Sequence, residues 1–136
     1  MSYAPTATAN AAVNAASQGR LRAAGIMGIV QASLALLVGL WIMSVAQSDA
    51  GEFLDSISGG TLTFLGVLML AIGGGVLTAG IGSVRGRSWG RVTLIVFESI
   101  FLLLLIIGLA NGDSGGGTVV AVLYTGTVLG LAASAR

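Results

Sequence analysis

Four long apolar runs alternate with short polar stretches along the chain. Each run reaches the ~17–25 residues that a helix needs to cross about 30 Å of hydrocarbon. The apolar core of a signal peptide is shorter, so we expect the first run to be retained as a span. The pattern predicts an all-α fold, an integral membrane four-helix bundle. Its spans are predicted at about residues 23–46, 61–84, 92–110 and 118–135, after an N-terminal tail over residues 1–22.

Composition agrees with a membrane environment. Of the 136 residues, 55% are hydrophobic and 8% are charged, whereas soluble domains carry about 25% charged residues. The chain has no Cys and no His, which removes thiol catalysis and the usual zinc and haem ligands. A net charge of +1 gives no electrostatic support for nucleic-acid binding. We expect neither enzymatic activity nor a metal or cofactor, because no nucleophile has a base in reach.

Charge is distributed unevenly between the loops, and this distribution predicts the orientation. The arginines all precede the first span, lie between the second and third, or follow the fourth: Arg20, Arg22, Arg85, Arg87, Arg91 and Arg136. The loop acids lie in the other two loops: Asp49, Glu52, Asp55 and Asp113. The positive-inside rule therefore predicts a multi-pass plasma-membrane protein with both termini in the cytoplasm. Trp41 and Trp89 then fall near opposite membrane interfaces, where amphipathic rings are enriched.

Small residues recur at every fourth position in three of the spans. This spacing puts them on one helix face, where they let helix backbones approach closely. We therefore predict helix-packing roles for Gly28 in the first span, Gly74 and Gly82 in the second, and Gly126 and Gly130 in the fourth. We call each such row of small residues on one helix face a stripe. A contact between two neighbouring helices needs fewer than three stripes. Self-association through a spare stripe is a hypothesis that follows.

The polar tail and the first outer loop each leave a structural question open. Residues 1–22 are interpreted as a mobile lead-in, or else residues 11–22 extend the first helix into the cytoplasm. Residues 49–60 combine an acidic start with a Gly-Gly stop, which favours a short interfacial helix. Its acidic residues lack the ligand pattern of a calcium loop, so we interpret them as a solvated face.

One carboxylate, Glu98, lies inside the third span. Placing a charge at the bilayer centre costs about 2.5–3.5 kcal/mol on insertion scales, so such a group needs an explanation. Counting from the arginines at 1.5 Å per residue puts one polar side chain per span at a depth of roughly 10–14 Å. We predict from this a shared intramembrane polar layer, formed by Gln31, Thr78, Glu98 and Thr127.

Three interpretations of Glu98 remain open. Its carboxyl group hydrogen-bonds to Gln31 or a threonine and fixes the helix register, or it serves proton- or cation-coupled transport, or it contacts another membrane subunit. The residues that follow Gln31 and Glu98 on their faces toward the outer side are apolar, among them Leu34 and Phe101. We therefore expect the site to be closed on that side.

The stretch over residues 75–105 joins two apolar spans through the sequence GRSWGR. This G-R-x-W-x-R pattern, over about a quarter of the chain, resembles a group of small uncharacterised four-span proteins of actinobacteria. The resemblance implies a plasma-membrane protein and supplies no activity. The loop residues also have a physical interpretation as cytoplasmic interface anchors that contact anionic lipid headgroups. These anchors are Arg85, Arg87, Trp89 and Arg91.

The function predicted from these features is that of a non-enzymatic scaffold or accessory subunit. It is expected to form a homo-oligomer or to join a larger membrane complex. The alternative is a small proton- or cation-coupled transporter or channel that uses Glu98. The expected partners are the lipid bilayer and either a second copy or another membrane subunit, and no nucleic acid.

Overall fold

The structure is a computed structural model that describes residues 7–48, 59–112 and 115–135. It contains four helices: α1 (Ala7–Ala46), α2 (Gly59–Val84), α3 (Ser88–Ala110) and α4 (Gly116–Ser134). All four are long and apolar enough to cross a membrane. The predicted all-α four-helix membrane fold is therefore confirmed.

The helices follow one another around a ring. α1 and α2 make the most extensive contact, α3 packs beside α2, and α4 closes the ring between α3 and α1. The diagonal contact between α1 and α3 is slight. The core lies where these helices meet, and small side chains make up much of it: Ala24, Ala32, Val76, Ala79, Leu94, Val128 and Ala132.

The helix ends at Ala46, Val84 and Ala110 coincide with the ends of the first three predicted spans. The start of α1 at Ala7 differs from that of the predicted span, and the helix includes most of the predicted tail, in agreement with the alternative that residues 11–22 extend the first helix. Its 40 residues correspond to about 60 Å, twice the hydrocarbon thickness. The structure thus has a helical extension before the first span, with residues 7–16 exposed. The predicted interfacial helix lies mostly outside the described residues, and Gly59 and Gly60 begin α2.

Glycine brings α1 and α2 into backbone contact. A Cβ atom placed on Gly25 would lie 2.8 Å from the carbonyl oxygen of Gly80, and one placed on Gly80 would lie 2.9 Å from that of Gly25. Two predicted packing glycines also make close contacts. Gly28 leaves room for the Leu94 side chain, and Gly82 lies under the ring of Trp89. Because glycine has no side chain beyond a hydrogen atom, these residues allow the helices to approach closely at this end of the bundle.

The other three predicted packing glycines do not contact a neighbouring helix. A Cβ atom placed on Gly74, Gly126 or Gly130 would have no atom within 4 Å, apart from the flanking residues and the helix's own backbone. These three glycines therefore take no part in the packing between the described helices, and a helix-packing role for them stays a prediction. Fourfold spacing shows that residues share a face, but it does not show whether that face points inward.

The turn between α2 and α3 has the hydrogen bonds of a Schellman motif. Gly86 adopts φ +71°, a left-handed conformation that glycine reaches without a Cβ penalty. The Gly86 N–H donates to the Ser83 carbonyl at 3.0 Å, and the Arg87 N–H donates to the Gly82 carbonyl at 2.9 Å. The turn reverses the chain and places Trp89 over α2. We call this end of the bundle, which carries Arg22, Arg85 and Arg91, the arginine end.

Candidate binding cavity at Glu98

Glu98 lies on the inward face of α3, with 0% of its surface exposed. Leu94, one turn closer to the arginine end, is buried on the same face. Four-residue spacing aligns these two side chains toward α1 and α2. The apolar run of α3 therefore carries its one carboxyl group into the interior of the bundle.

The carboxyl group has no hydrogen-bond partner among the described residues. Both Oε atoms of Glu98 are buried without a partner, and so is Oε1 of Gln31. Unpaired buried acceptors cost free energy, about 1–3 kcal/mol each and more for a charged group. The hydrogen bond expected from Glu98 to Gln31 or to a threonine lacks standard geometry here, although the Gln31 side chain lies near the carboxyl group.

An apolar cavity of about 320 Å³ lies beside Gln31 and Glu98. Its lining comes from α1, α2 and α3, and among the described residues Gln31 and Glu98 are the polar members of this lining. The apolar part of the lining consists of Ala32, Leu34, Ala35, Val38, Met69, Ile72, Gly73, Val76, Phe97, Ile100, Phe101 and Leu104. Ligand pockets have volumes of about 300–1,000 Å³ and a few polar groups in an apolar lining. The cavity has both properties.

The cavity runs from Glu98 away from the arginine end. Toward the arginine end, the contact of buried Leu94 with Gly28 fills the interior. In the other direction, four lining side chains are also exposed on the outside of the bundle: Leu34 at 59%, Val38 at 43%, Ile100 at 54% and Leu104 at 58%. The lining in this direction is apolar, as the sequence predicts, and it borders open space at the side of the bundle.

The predicted polar layer forms only in part. Gln31 and Glu98 line the same cavity, whereas Thr78 and Thr127 are exposed. The Thr78 hydroxyl donates to the Gly75 carbonyl at 2.8 Å, and the Thr127 hydroxyl donates to the Leu123 carbonyl at 2.7 Å. Each threonine thus satisfies its hydroxyl on its own helix and needs no partner on another helix.

Two contacts that hold α4 in place were not found by sequence reasoning. The Tyr124 hydroxyl donates to the Met27 carbonyl of α1 at 2.6 Å. The Arg91 guanidinium donates to the carbonyls of Ala132 and Ala133, at 2.9 Å and 3.1 Å. Arg91 therefore caps the C-terminal end of α4, where carbonyls lack helical partners. The sequence did offer one indication of this role: Arg91 lies one turn inside the third helix, whereas Arg85 and Arg87 lie in the turn before it.

The other three predicted interface residues lie at the surface of the arginine end. Arg85, Arg87 and Trp89 are exposed and line a shallow groove of about 190 Å³ together with Thr78, Ile81 and Gly82. The groove combines two cations with an aromatic ring beside an apolar helix. This combination is typical of residues at a membrane interface.

Comparisons with known proteins add no relative. No family model matches the chain, and no curated protein or solved structure matches it. Fold and composition therefore define the class: a small integral membrane protein with four candidate spanning helices.

Proposed function

We propose that this protein is a non-enzymatic scaffold or accessory subunit that assembles with copies of itself in the plasma membrane, with both termini in the cytoplasm. The one-sided distribution of the arginines supports this orientation. The observation that carries the self-association is the outward face of α4, where Gly126 and Gly130 contact no other helix.

The contact between α1 and α2 shows how this chain uses small residues. Gly25 and Gly80 face each other there, and the two backbones lie close enough to exclude a methyl group. The α4 face offers a Gly-x-x-x-Gly pair, followed four residues later by Ser134. Such pairs support close helix contacts in membranes, where apolar burial does not drive association. An open stripe of this kind is suited to a second helix.

A second copy is the partner best matched to the stripe. Copies inserted with the same orientation present α4 in parallel, so a twofold axis normal to the membrane brings Gly126 opposite Gly126 and Gly130 opposite Gly130. Such an isologous contact needs only one patch per chain. Parallel Gly-x-x-x-Gly pairing is a known geometry for membrane helices.

The test replaces Gly126 or Gly130 by Leu and measures energy transfer between donor- and acceptor-labelled copies in lipid vesicles. Neither position contacts another helix among the described residues, so we expect each variant to retain its fold. The matched control is Gly108→Leu, because Gly108 on α3 is equally open. We expect transfer to fall at least tenfold for the α4 variants and to stay unchanged for Gly108→Leu. Undiminished transfer in Gly126→Leu and Gly130→Leu would contradict the proposal.

A second candidate function is proton- or cation-coupled transport through Glu98. It is favoured by the buried carboxyl group, whose oxygens lack partners among the described residues. Ionisable residues inside a membrane often belong to ion pathways. The test is the Glu98→Gln variant in proteoliposomes: loss of cation or proton flux with an intact fold supports transport. Wild-type protein without flux above empty liposomes opposes it.

The groove at Arg85, Arg87 and Trp89 supports the proposed contact with anionic lipid headgroups. Its guanidinium groups are exposed, and arginine binds phosphate oxygens bidentately. An Arg85→Gln/Arg87→Gln variant should lose its enrichment of anionic lipid in mixed nanodiscs.

A further inference from the structure

We propose that the cavity at Glu98 binds an amphiphilic ammonium ion, with the ammonium group at Glu98 and Gln31 and the apolar body along α1, α2 and α3. This site goes beyond the scaffold function, since it requires no contact between copies. It is assigned from the unpaired acceptors, the lining and the open side of the cavity.

The polar end of the cavity carries more hydrogen-bond acceptors than donors, since the Gln31 amide is its one donor group among the described residues. Three buried oxygens, two of Glu98 and one of Gln31, have no partner among the described residues. An ammonium group carries only donors, and a carboxylate carries only acceptors. The one other charged side chain on α3, Arg91, lies two turns from Glu98 and donates to the end of α4. The described part of the chain thus supplies no cation of its own to the carboxyl group.

The rest of the cavity needs an apolar occupant. Its volume of about 320 Å³ is roughly ten times the share of one water molecule in the liquid. Twelve of the fourteen described residues that line it are apolar, and buried water needs two to four polar partners. A bare metal ion or a small hydrated cation would leave most of this surface uncovered. A chain or ring system attached to the ammonium group fills it.

The open side determines how the ligand arrives. Leu34, Val38, Ile100 and Leu104 border the cavity and are exposed on the surface that faces lipid. The arginine end is filled by Leu94 against Gly28. An amphiphile dissolved in the bilayer can therefore enter the cavity sideways from the lipid. Its ammonium head and its apolar body enter through the same opening.

The experiment uses native mass spectrometry. The protein is incubated with decylammonium in detergent micelles, the micelle is removed in the gas phase, and the mass shows how much decylammonium stays bound to the protein. The comparison ligands are decanol and decanoate, which share the ten-carbon chain, and tetramethylammonium, which lacks an apolar body. We expect the wild type to retain one decylammonium and at least tenfold less of each comparison ligand. Equal retention of decanoate or decanol would overturn the proposal. Retention of tetramethylammonium at the level of decylammonium would overturn it in favour of a small-cation site.

Two variants test the location. Glu98→Gln removes the anionic partner, and Ala35→Trp fills the cavity without altering its polar end. The matched control is Ala71→Trp, because Ala71 is exposed on α2 and lies outside the cavity lining. We expect retention to fall at least tenfold for Glu98→Gln and Ala35→Trp and to be unchanged for Ala71→Trp. Wild-type retention by Ala35→Trp would overturn the assignment to this cavity, even if Glu98→Gln failed to fold.

Discussion

Replacing Gly80 by Ala tests the backbone contact between α1 and α2. The added Cβ atom would lie 2.9 Å from the Gly25 carbonyl oxygen and 2.9 Å from Cγ1 of Ile29, whereas ordinary contacts begin at 3.4 Å. The helices must therefore separate by about 0.5 Å, which forfeits roughly a quarter of the dispersion energy between facing atoms. Overpacking of this kind costs about 1–3 kcal/mol.

The matched control is Gly74→Ala on the same helix, where the new methyl group meets nothing within 4 Å. Both substitutions share the gain in helix propensity of about 1 kcal/mol, so it cancels in the comparison. The assay is reversible unfolding in mixed micelles with rising denaturing detergent. We expect Gly80→Ala to be less stable than Gly74→Ala by about 1–3 kcal/mol. A difference below about 0.5 kcal/mol would refute the close contact, since surface changes fall in that range.

Three further substitutions test other contacts in the bundle. Tyr124→Phe removes the bond to the Met27 carbonyl and should lower the unfolding free energy by about 0.6–2 kcal/mol in the same assay; an unchanged value would contradict the bond. Arg91→Gln should speed amide hydrogen exchange in the last turn of α4 because it uncaps two carbonyls, while Arg85→Gln, at an exposed position, should leave exchange there unaltered. Thr78→Val should change stability by less than about 0.5 kcal/mol, and a loss above about 1.5 kcal/mol would place its hydroxyl in a contact between helices.

The spans and three of the helix ends were predictable from the sequence because hydropathy and length decide them. A run that is long and apolar enough to cross a membrane has few alternatives to a helix. The ends at Ala46, Val84 and Ala110 follow from the polar and glycine-rich stretches after them. The start of α1 was harder to predict, because an alanine-rich polar segment can continue a helix in water without an apolar signal.

Helix rotation was not predictable from the sequence. Gly74 and Gly82 both belong to the small-residue stripe on α2, yet Gly74 meets no other helix among the described residues, whereas Gly82 contacts Trp89 of α3. Nearly every face of a membrane helix is apolar, so hydropathy does not distinguish the lipid side from the bundle side. Only the fit of one helix surface against another decides between them.

At the candidate site, too, the sequence predicted the depth of the polar residues but not the direction in which they point. Counting residues from the arginines gave the depth of Glu98 and Gln31, and they do line one cavity. The same count included Thr127, whose hydroxyl bonds to its own helix and imposes no inward orientation. The cavity itself arises from the angles and spacing of three helices. No single stretch of sequence encodes it.

The central claim is that the Glu98 carboxyl group is reached from the lipid through an apolar cavity. Its most direct test is carbodiimide modification of Glu98 in sealed lipid vesicles, followed by peptide mass spectrometry. Lipid-soluble dicyclohexylcarbodiimide should modify Glu98 in the wild type and in Ala71→Trp, and fail to do so in Ala35→Trp. A water-soluble carbodiimide should leave Glu98 unmodified. Modification of Glu98 by the water-soluble reagent, or labelling unaffected by Ala35→Trp, would contradict the claim.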